Sequence, residues 1–476
     1  MKMLNLKKQN TNVPKIDELS EMISDLKGFL NEDVDFNDEA WCKNLNTILE
    51  FQDDDGSFKL FNSSNVPSDA RVDFCWVPTY ICTAILMKAY LVSPNEFTLK
   101  EKSALSEGLK MSCVKNLCGH GYDTLKGQIE ILNMFLNAGL NEFMDLHHDF
   151  CPEFTGMIEK IISQYKDKIV QEDFIGPWGE SYKDEIKAIS QSFSQRLVFV
   201  YGTLMKGDRN HSYLENSTLI GKGVIEGYDM YDVGWYPSIV EGNGLIVGEL
   251  YKVPKSDIPS IDMLEGEGFL YAKRCEKVTV KGKTFLAFVY VYLKDVSELE
   301  KIQSWKEEYV WYVSYGSNMS YDRFMYYIKG GAYGSSVPRD PCEDTTPPVA
   351  VKAIKIPFDM YFAEKSRWGG GVSFLDISKE GHSFGVAYLI TKKQFEHVAT
   401  QENGNNIPDG TVGWYKDLIC LGKMNGFEMK TLTSDDLHEY NDPADEYLEV
   451  LRMGMRKNWP EMSDEEIEDY LDACIR

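Results

Sequence analysis

The feature that most constrains this chain is a strand running into a Tyr-Gly turn, and the chain contains it twice. LVFVYGTLMKGDRN spans 197–210 and WYVSYGSNMSYDRF spans 311–324. Each begins as a short uncharged run of β-branched and aromatic residues, the pattern of a strand buried on both faces. Each then stops at a glycine, whose missing side chain lets the backbone turn tightly and lets another group approach it. The stretches beyond the two turns also correspond. After the first copy come the strand-like runs GVIEGYDMYDV, GLIVGELYKV and TFLAFVYVYL, separated by glycine turns, with one helical stretch, DIPSIDMLEGE (257–267), that ends in Glu265. After the second come AVKAIKIPFDMYFA, read as a strand, a WGGG loop, strands VSFLDI and SFGVAYLI, and the helix TKKQFEHVATQENG, which ends in Glu402. A Pro-rich insertion (338–348) separates the second Tyr-Gly strand from AVKAIKIPFDMYFA.

At 476 residues the chain exceeds what one ordinary core holds. Residues 1–190 read as a helical domain. NLNTILEFQ (44–52), TYICTAILMKAYL (79–91) and GQIEILNMFLNAGL (127–140) place apolar residues at helical spacing, the last stopping at Gly139. The polar stretch 173–195, punctuated by Gly176-Pro177, is the linker. Residues 196–298 and 306–476 hold the two strand-rich copies. The second ends in a helical extension, SDEEIEDYLDACIR, which opens with Ser463 and Glu466 at capping-box spacing.

Within the helical part, FQDDDGSFKLF (51–61) sets an acidic glycine turn after a helix ending in Gln. This resembles, over about 35–150, the repeats of alpha/alpha-toroid proteins, the prenyltransferase and terpene-cyclase-like group. Asp53, Asp54 and Asp55 then read either as a magnesium-diphosphate site or, as acidic glycine turns usually are, as a solvated loop. His120, between two glycines in CGHGYDTLKGQ (118–128), reads as a ligand or base, or as a residue packing the loop before the next helix.

The strand-rich copies carry a more specific resemblance. Tyr-Gly-x-x after a strand, further strands, and a helix ending in glutamate resemble the gamma-glutamylcyclotransferase-like superfamily. With VYGTLMKGDRNH, YPSIV, GELY and DMLEGE, the first copy resembles the gamma-glutamylamine cyclotransferase branch through nearly all of 197–295. The second, with SYGSNMS and WGGGVSFLD, is similar more loosely. The resemblance implies a multidomain chain: an α-helical N-terminal domain followed by two α+β units, each a small mixed β-barrel. It implies Glu265 and Glu402 as general acid/base residues. Tyr201, Gly202, Thr203 and Leu204 would cradle substrate in one copy, and Tyr315, Gly316, Ser317, Asn318 and Met319 in the other. It implies a cyclotransferase acting on a gamma-glutamyl amine or amide and releasing 5-oxoproline.

The residues suit that reaction on chemical grounds. A gamma-glutamyl group carries its own nucleophile, since the α-amine can reach the γ-carbonyl and close a five-membered ring, so positioning does most of the work. Backbone N–H groups after the tyrosine suit the α-carboxylate or the developing oxyanion. One desolvated glutamate can take the ammonium proton and return one to the leaving amine. No metal or cofactor is needed. A lone glutamate at a helix end is ordinarily solvated, and it is the recurrence of turn and glutamate together that favours chemistry. The first copy departs less from the family pattern, which makes Glu265 the leading residue and the adjacent Glu267 the second choice. Tyr228, Tyr236 and Tyr271 line the first pocket or simply pack. Trp368 and glycines 369–371 line a pocket for an apolar leaving group or merely connect strands.

A net charge of −25, with no Lys/Arg cluster, disfavours a nucleic-acid binder. The start, MKMLNLKKQNTNVPK, lacks the apolar core of a secretory signal, and no apolar run approaches membrane-spanning length, so a cytoplasmic location is expected. Ten cysteines without C-x-x-C pairs read as reduced thiols rather than disulfides or zinc ligands. The expected partner is a small gamma-glutamyl substrate, with a protein partner for the helical region. The competing function is a non-catalytic sensor or regulatory binding protein on the same fold.

Overall fold

Helix-spaced apolar residues ahead of the first repeat form eight helices among the described residues: α1 (Ile16–Asn31), α2 (Glu39–Leu49), α3 (Val77–Val92), α4 (Leu99–Ser112), α5 (Thr124–Asn137), α6 (Leu140–Leu146), α7 (Pro152–Gln171) and α8 (Lys183–Phe193). The computed structural model describes residues 3, 4, 6, 16–60, 76–113, 124–176, 179–333 and 338–475. Helix α3 is apolar all round, and Tyr80, Ile81, Ala84, Ile85, Leu86 and Met87 are all buried, so it forms the centre on which α1, α4, α5 and α6 pack. Thr98 and Glu101 close a reciprocal capping box at the start of α4. Gly139 ends one helix and begins the next with φ +91, in the left-handed region that glycine adopts without strain. No helix among the described residues is long and apolar enough to cross a membrane. His120 lies outside the described residues. The Asp53–Asp55 turn holds its own cation: Lys59 pairs with Asp53 at 3.0 Å and with Asp55 at 3.2 Å.

The first strand-rich unit contains β1 (Gln195–Val200), β2 (Thr218–Asp232), β3 (Pro237–Pro254), α9 (Ile258–Glu265), β4 (Tyr271–Val280), β5 (Lys283–Tyr292) and β6 (Glu300–Ile302). Its strands pair in the order β3-β1-β5-β4-β2-β6, and β2 pairs again with β3. Strand β1 runs antiparallel to β3 and parallel to β5.

The second unit contains β7 (Tyr309–Ser314), α10 (Tyr321–Lys329), β8 (Ala350–Ile356), β9 (Asp359–Ala363), β10 (Val372–Asp376), β11 (Ser383–Thr391), α11 (Lys392–Glu402), β12 (Asp417–Met424), β13 (Phe427–Thr433), α12 (Asp445–Asn458) and α13 (Asp464–Cys474). AVKAIKIPFDMYFA is not one strand. It breaks at Pro357-Phe358, sending β8 to the five-stranded sheet β12-β13-β7-β11-β8 and β9 to a separate pair with β10. Proline has no N–H to continue the ladder, which accounts for the break. The Ser463–Glu466 capping box does form, and α13 begins directly after Ser463.

The two sheets share an order. Around β1 lie β3 then β2 on one side and β5 then β4 on the other. Around β7 lie β11 then β8, and β13 then β12, with the same parallel and antiparallel senses. Corresponding tyrosines also make corresponding bonds. The Tyr201 hydroxyl donates to the carbonyl of Tyr290 on β5 at 2.5 Å, and the Tyr315 hydroxyl to that of Leu432 on β13 at 2.7 Å.

The regions pack on one another. Cys275 and Leu286 of the first unit belong to the apolar core of the helical region, and Val224, Leu245 and Val247 to that of the second unit. The Arg196 guanidinium is buried where β1 meets α6, bonded to Asp145 through Nε (2.6 Å) and Nη2 (3.0 Å).

Candidate active site

Strand β1 delivers Tyr201 to the end of the first sheet, where the chain turns through Gly202, Thr203 and Leu204. The turn closes on a bond from the Met205 amide to the Gly202 carbonyl at 2.9 Å. Its partner turn closes in the same way, from Met319 to Gly316 at 2.9 Å. Among the described residues, the amides of Gly202, Thr203 and Leu204 donate to no protein acceptor, and neither do those of Gly316, Ser317 and Asn318. Gly202 has no room for a side chain, since a Cβ there would lie 2.7 Å from Cγ of Pro237.

Helix α9 brings Glu265 to the same place and stops there because Gly266 takes φ +61. Glu265 shares one pocket with Tyr201, Gly202, Thr203, Leu204, Tyr236, Pro237, Tyr271 and Tyr290. Three tyrosine hydroxyls surround its carboxyl, yet each is directed elsewhere. Tyr201 donates to the Tyr290 carbonyl, Tyr271 to the Pro237 carbonyl at 2.9 Å, and Tyr290 to Asp262 at 2.6 Å. Asp262 is itself held by Lys273 at 2.8 Å. No described donor reaches Glu265, and burial pushes its carboxyl up to about 7. Glu267 points to solvent, outside the pocket. Tyr236 and Tyr271 line the pocket, whereas Tyr228 sits elsewhere, bonded to Glu276 at 2.5 Å. Tyr290 and Pro237 carry no such mark in the sequence, because an alternating strand gives no sign of which residue faces a cleft.

In the second unit Glu402 again ends its helix beside the turn, in different company. Tyr312 donates to one carboxylate oxygen at 2.7 Å and Asn318 Nδ2 to the other at 2.5 Å. Burial still raises its pKa, opposed by the Tyr312 bond and by the charges of Arg339 and Arg323. Ser317 accepts from Arg323 Nε at 2.7 Å. Met319 is wholly buried, packed so closely on α12 that a Cβ on Gly454 would lie 2.9 Å from its own. Trp368 packs on Tyr447 of α12, ring centres 5.7 Å apart. Gly370 and Gly371 are forced by contact with the 441–444 backbone, since a Cβ on either would lie within 2.3 Å of a carbonyl oxygen.

A family model described as "Gamma-glutamyl cyclotransferase, AIG2-like" matches residues 198–309. The gamma-glutamylcyclotransferase family protein YtfP of Escherichia coli is 35% identical over 107 residues, which are 22% of this chain and 91% of that protein. The chain belongs to the gamma-glutamylcyclotransferase family. A second family member, the gamma-L-glutamyl-butirosin B gamma-glutamyl cyclotransferase of Niallia circulans, is 33% identical over 117 residues, 23% of this chain and 75% of the relative. Among solved structures, YkqA from Bacillus subtilis is similar at 20% identity and a TM-score of 0.25, over 59% of this chain and 97% of that one. The family's match falls on the first unit, whose turn and glutamate share a pocket.

Proposed function

We propose that residues 196–298 form a gamma-glutamylamine cyclotransferase unit, a small closed β-barrel in which Glu265 is the general acid/base. Residues 306–476 are a second copy of the same unit, and 1–190 a helical domain. The observation that carries the catalytic reading is a carboxyl with no donor, raised by burial to about 7, in one pocket with three unbonded amides. The shared strand order and the matching tyrosine bonds support the second copy.

The substrate's γ-carbonyl lies over the Tyr201–Leu204 turn, whose amides stabilise the oxyanion as it forms. Glu265, near neutrality, removes a proton from the α-ammonium. The freed amine attacks the γ-carbonyl carbon, a new C–N bond closes the ring, and the bond to the leaving amine breaks. The same carboxyl returns that proton to the departing nitrogen, then takes the second proton from the ring nitrogen and passes it to the released amine, so 5-oxoproline and an ammonium result with no net proton change. Tyr236, Tyr271 and Tyr290 exclude water and keep the carboxyl basic. The reading requires neither metal nor cofactor, and it places a small-molecule enzyme in the cytoplasm.

Purified protein incubated with gamma-glutamyl amines of varied leaving group, gamma-L-glutamyl-butirosin B among them, is expected to release 5-oxoproline. Glu265→Gln is expected to lower the rate by about 100-fold or more. The assignment fails if no amine reacts, or if Glu265→Gln and Glu402→Gln together leave the rate unchanged.

A further inference from the structure

Where the helical region meets the first unit, α1, α3, α5, α6 and α8 face the first five strands across a cleft of about 940 Å³. Strand β1 supplies Gln195, Arg196 and Leu197 to this cleft, and Phe199 and Val200 to the Glu265 pocket. The two cavities therefore share a strand but no residue. Most charges in the cleft are matched among themselves. Arg196 is engaged by Asp145 and by the carbonyls of Phe193 and Gln195. Lys88 stands close to Glu32 and Asp33 and donates to the carbonyls of Leu30 at 2.9 Å and Glu32 at 2.7 Å. Lys277 donates to the Val34 carbonyl.

Four groups are left over. Glu142, on α6, is 7% exposed, and among the described residues no side chain donates to its carboxyl. Its Oε2 lies over Gly139 beside Leu286: a Cβ on that glycine would be 3.8 Å from the oxygen and 2.9 Å from Cδ1 of Leu286. Burial pushes the carboxyl up to about 7, against its own backbone N–H and the Arg196 charge. Next to it, Asn141 Nδ2 donates to the Ser192 carbonyl at 3.0 Å, and its buried Oδ1 accepts from no described donor. Lys252 and Lys283 stand exposed on the rim, without a described acceptor. Adjacent acceptors without a donor call for N–H groups, and a carboxylate at that depth calls for a positive one. A primary ammonium meets both needs. Water would satisfy Oδ1 but leave the carboxylate without a counter-charge. The rim lysines repel a second cation and favour a carboxylate, and Leu197, Ile220 and Phe285 give the carbon chain an apolar wall.

We propose that this cleft is a binding site for an amino acid, with its ammonium on Glu142 and Asn141 and its carboxylate toward Lys252 and Lys283. The ligand bridges the helical region and the first unit, and its binding does not require turnover at Glu265.

The test is calorimetric titration of the full chain with glycine, L-leucine and 5-aminopentanoate, set against pentylamine and pentanoate, which carry one charged end each. At least one zwitterion is expected to bind, about tenfold or more tighter than either singly charged compound. Glu142→Gln, which keeps the shape and loses the charge, is expected to weaken binding about 30-fold or more. Lys252→Gln combined with Lys283→Gln should weaken it about fivefold, and decides the matter if the Glu142 variant does not fold. Glu265→Gln should bind the zwitterion like the parent, which separates this site from the catalytic one. The proposal is overturned if no zwitterion binds, if pentylamine or pentanoate binds as tightly, if Glu142→Gln titrates like the parent, or if Glu265→Gln abolishes the heat. Because the readout is binding without turnover, either outcome leaves the Glu265 reading standing or falling on its own assay.

Discussion

Glu265 and Glu402 end corresponding helices, and their neighbours give them opposite characters. In chain order the turn position that corresponds to Asn318, which donates to the Glu402 carboxylate, is Leu204, and Leu204 lines the Glu265 pocket. A donor favours the charged form of a carboxyl. Leu204→Asn should therefore lower the Glu265 pKa by about one unit and move the acidic limb of the pH–rate profile down with it; an unmoved profile sinks the idea. Stability carries the same signature. The Glu265 carboxyl titrates near 7 when folded and near 4.3 when unfolded, so the folded state holds a proton that the unfolded chain releases in between. Stability should fall as pH rises from about 4.5 to 7. Glu265→Gln, which cannot ionise, should be up to about 3 kcal/mol more stable than the wild type at pH 8 and little changed at pH 4.5, as read from urea denaturation. Both glutamates were legible in the sequence because each is followed closely by a glycine at a helix end. Arg323 and Tyr312 were not, although both lie within the stretch 311–324, because nothing in a short motif tells which side chains turn inward.

The two Tyr-Gly turns are one element built twice, but their surroundings differ in stiffness. Cβ of an alanine at 202 would strike the rigid Pro237 ring at 2.7 Å, whereas at 316 the nearest atom is a tyrosine hydroxyl at 3.1 Å. Gly202→Ala should cost about 1–3 kcal/mol of stability, and most of the activity through displacement of the turn amides. Gly316→Ala should cost less than about 1 kcal/mol. Paired denaturation curves decide it, and equal losses would mean that the proline yields. Strands and turns were readable because β-branched runs and glycines follow local rules. The division of 350–363 between two sheets was not anticipated, because an alternating pattern states that residues are extended, not which neighbour they pair with. Pro357 was the one local sign of it.

At the scale of the whole molecule, the helical region and the first unit are joined through Arg196. Its side chain is 1% exposed, bonded to Asp145, which also accepts from Lys255 at 3.1 Å. Removing one partner strands a buried charge, so Asp145→Ala should destabilise the protein by about 3–5 kcal/mol. The guanidinium of Arg196 holds the Asp145 carboxyl below the usual carboxylate range. Its contribution is therefore complete above the unfolded-state value and is lost as the pH falls through the depressed folded one. Asp145→Asn should remove that acid-side slope, which thermal melts between about pH 3 and 6 would reveal. Nothing in the sequence couples positions 145 and 196, since pairings across 51 residues leave no periodic trace.

The same junction bears on how this protein is cut into pieces. In YtfP a stretch matching about a hundred residues is nearly the entire molecule. Here the corresponding unit has given one face to its helical neighbour: Cys275 is 3% exposed, Leu286 packs beside it, and Lys277 reaches across to the Val34 carbonyl at 2.7 Å. An excised 196–298 fragment would show water a greasy flank that the intact chain conceals. It should precipitate or self-associate unless 16–193 is expressed with it, or unless that flank is first made hydrophilic.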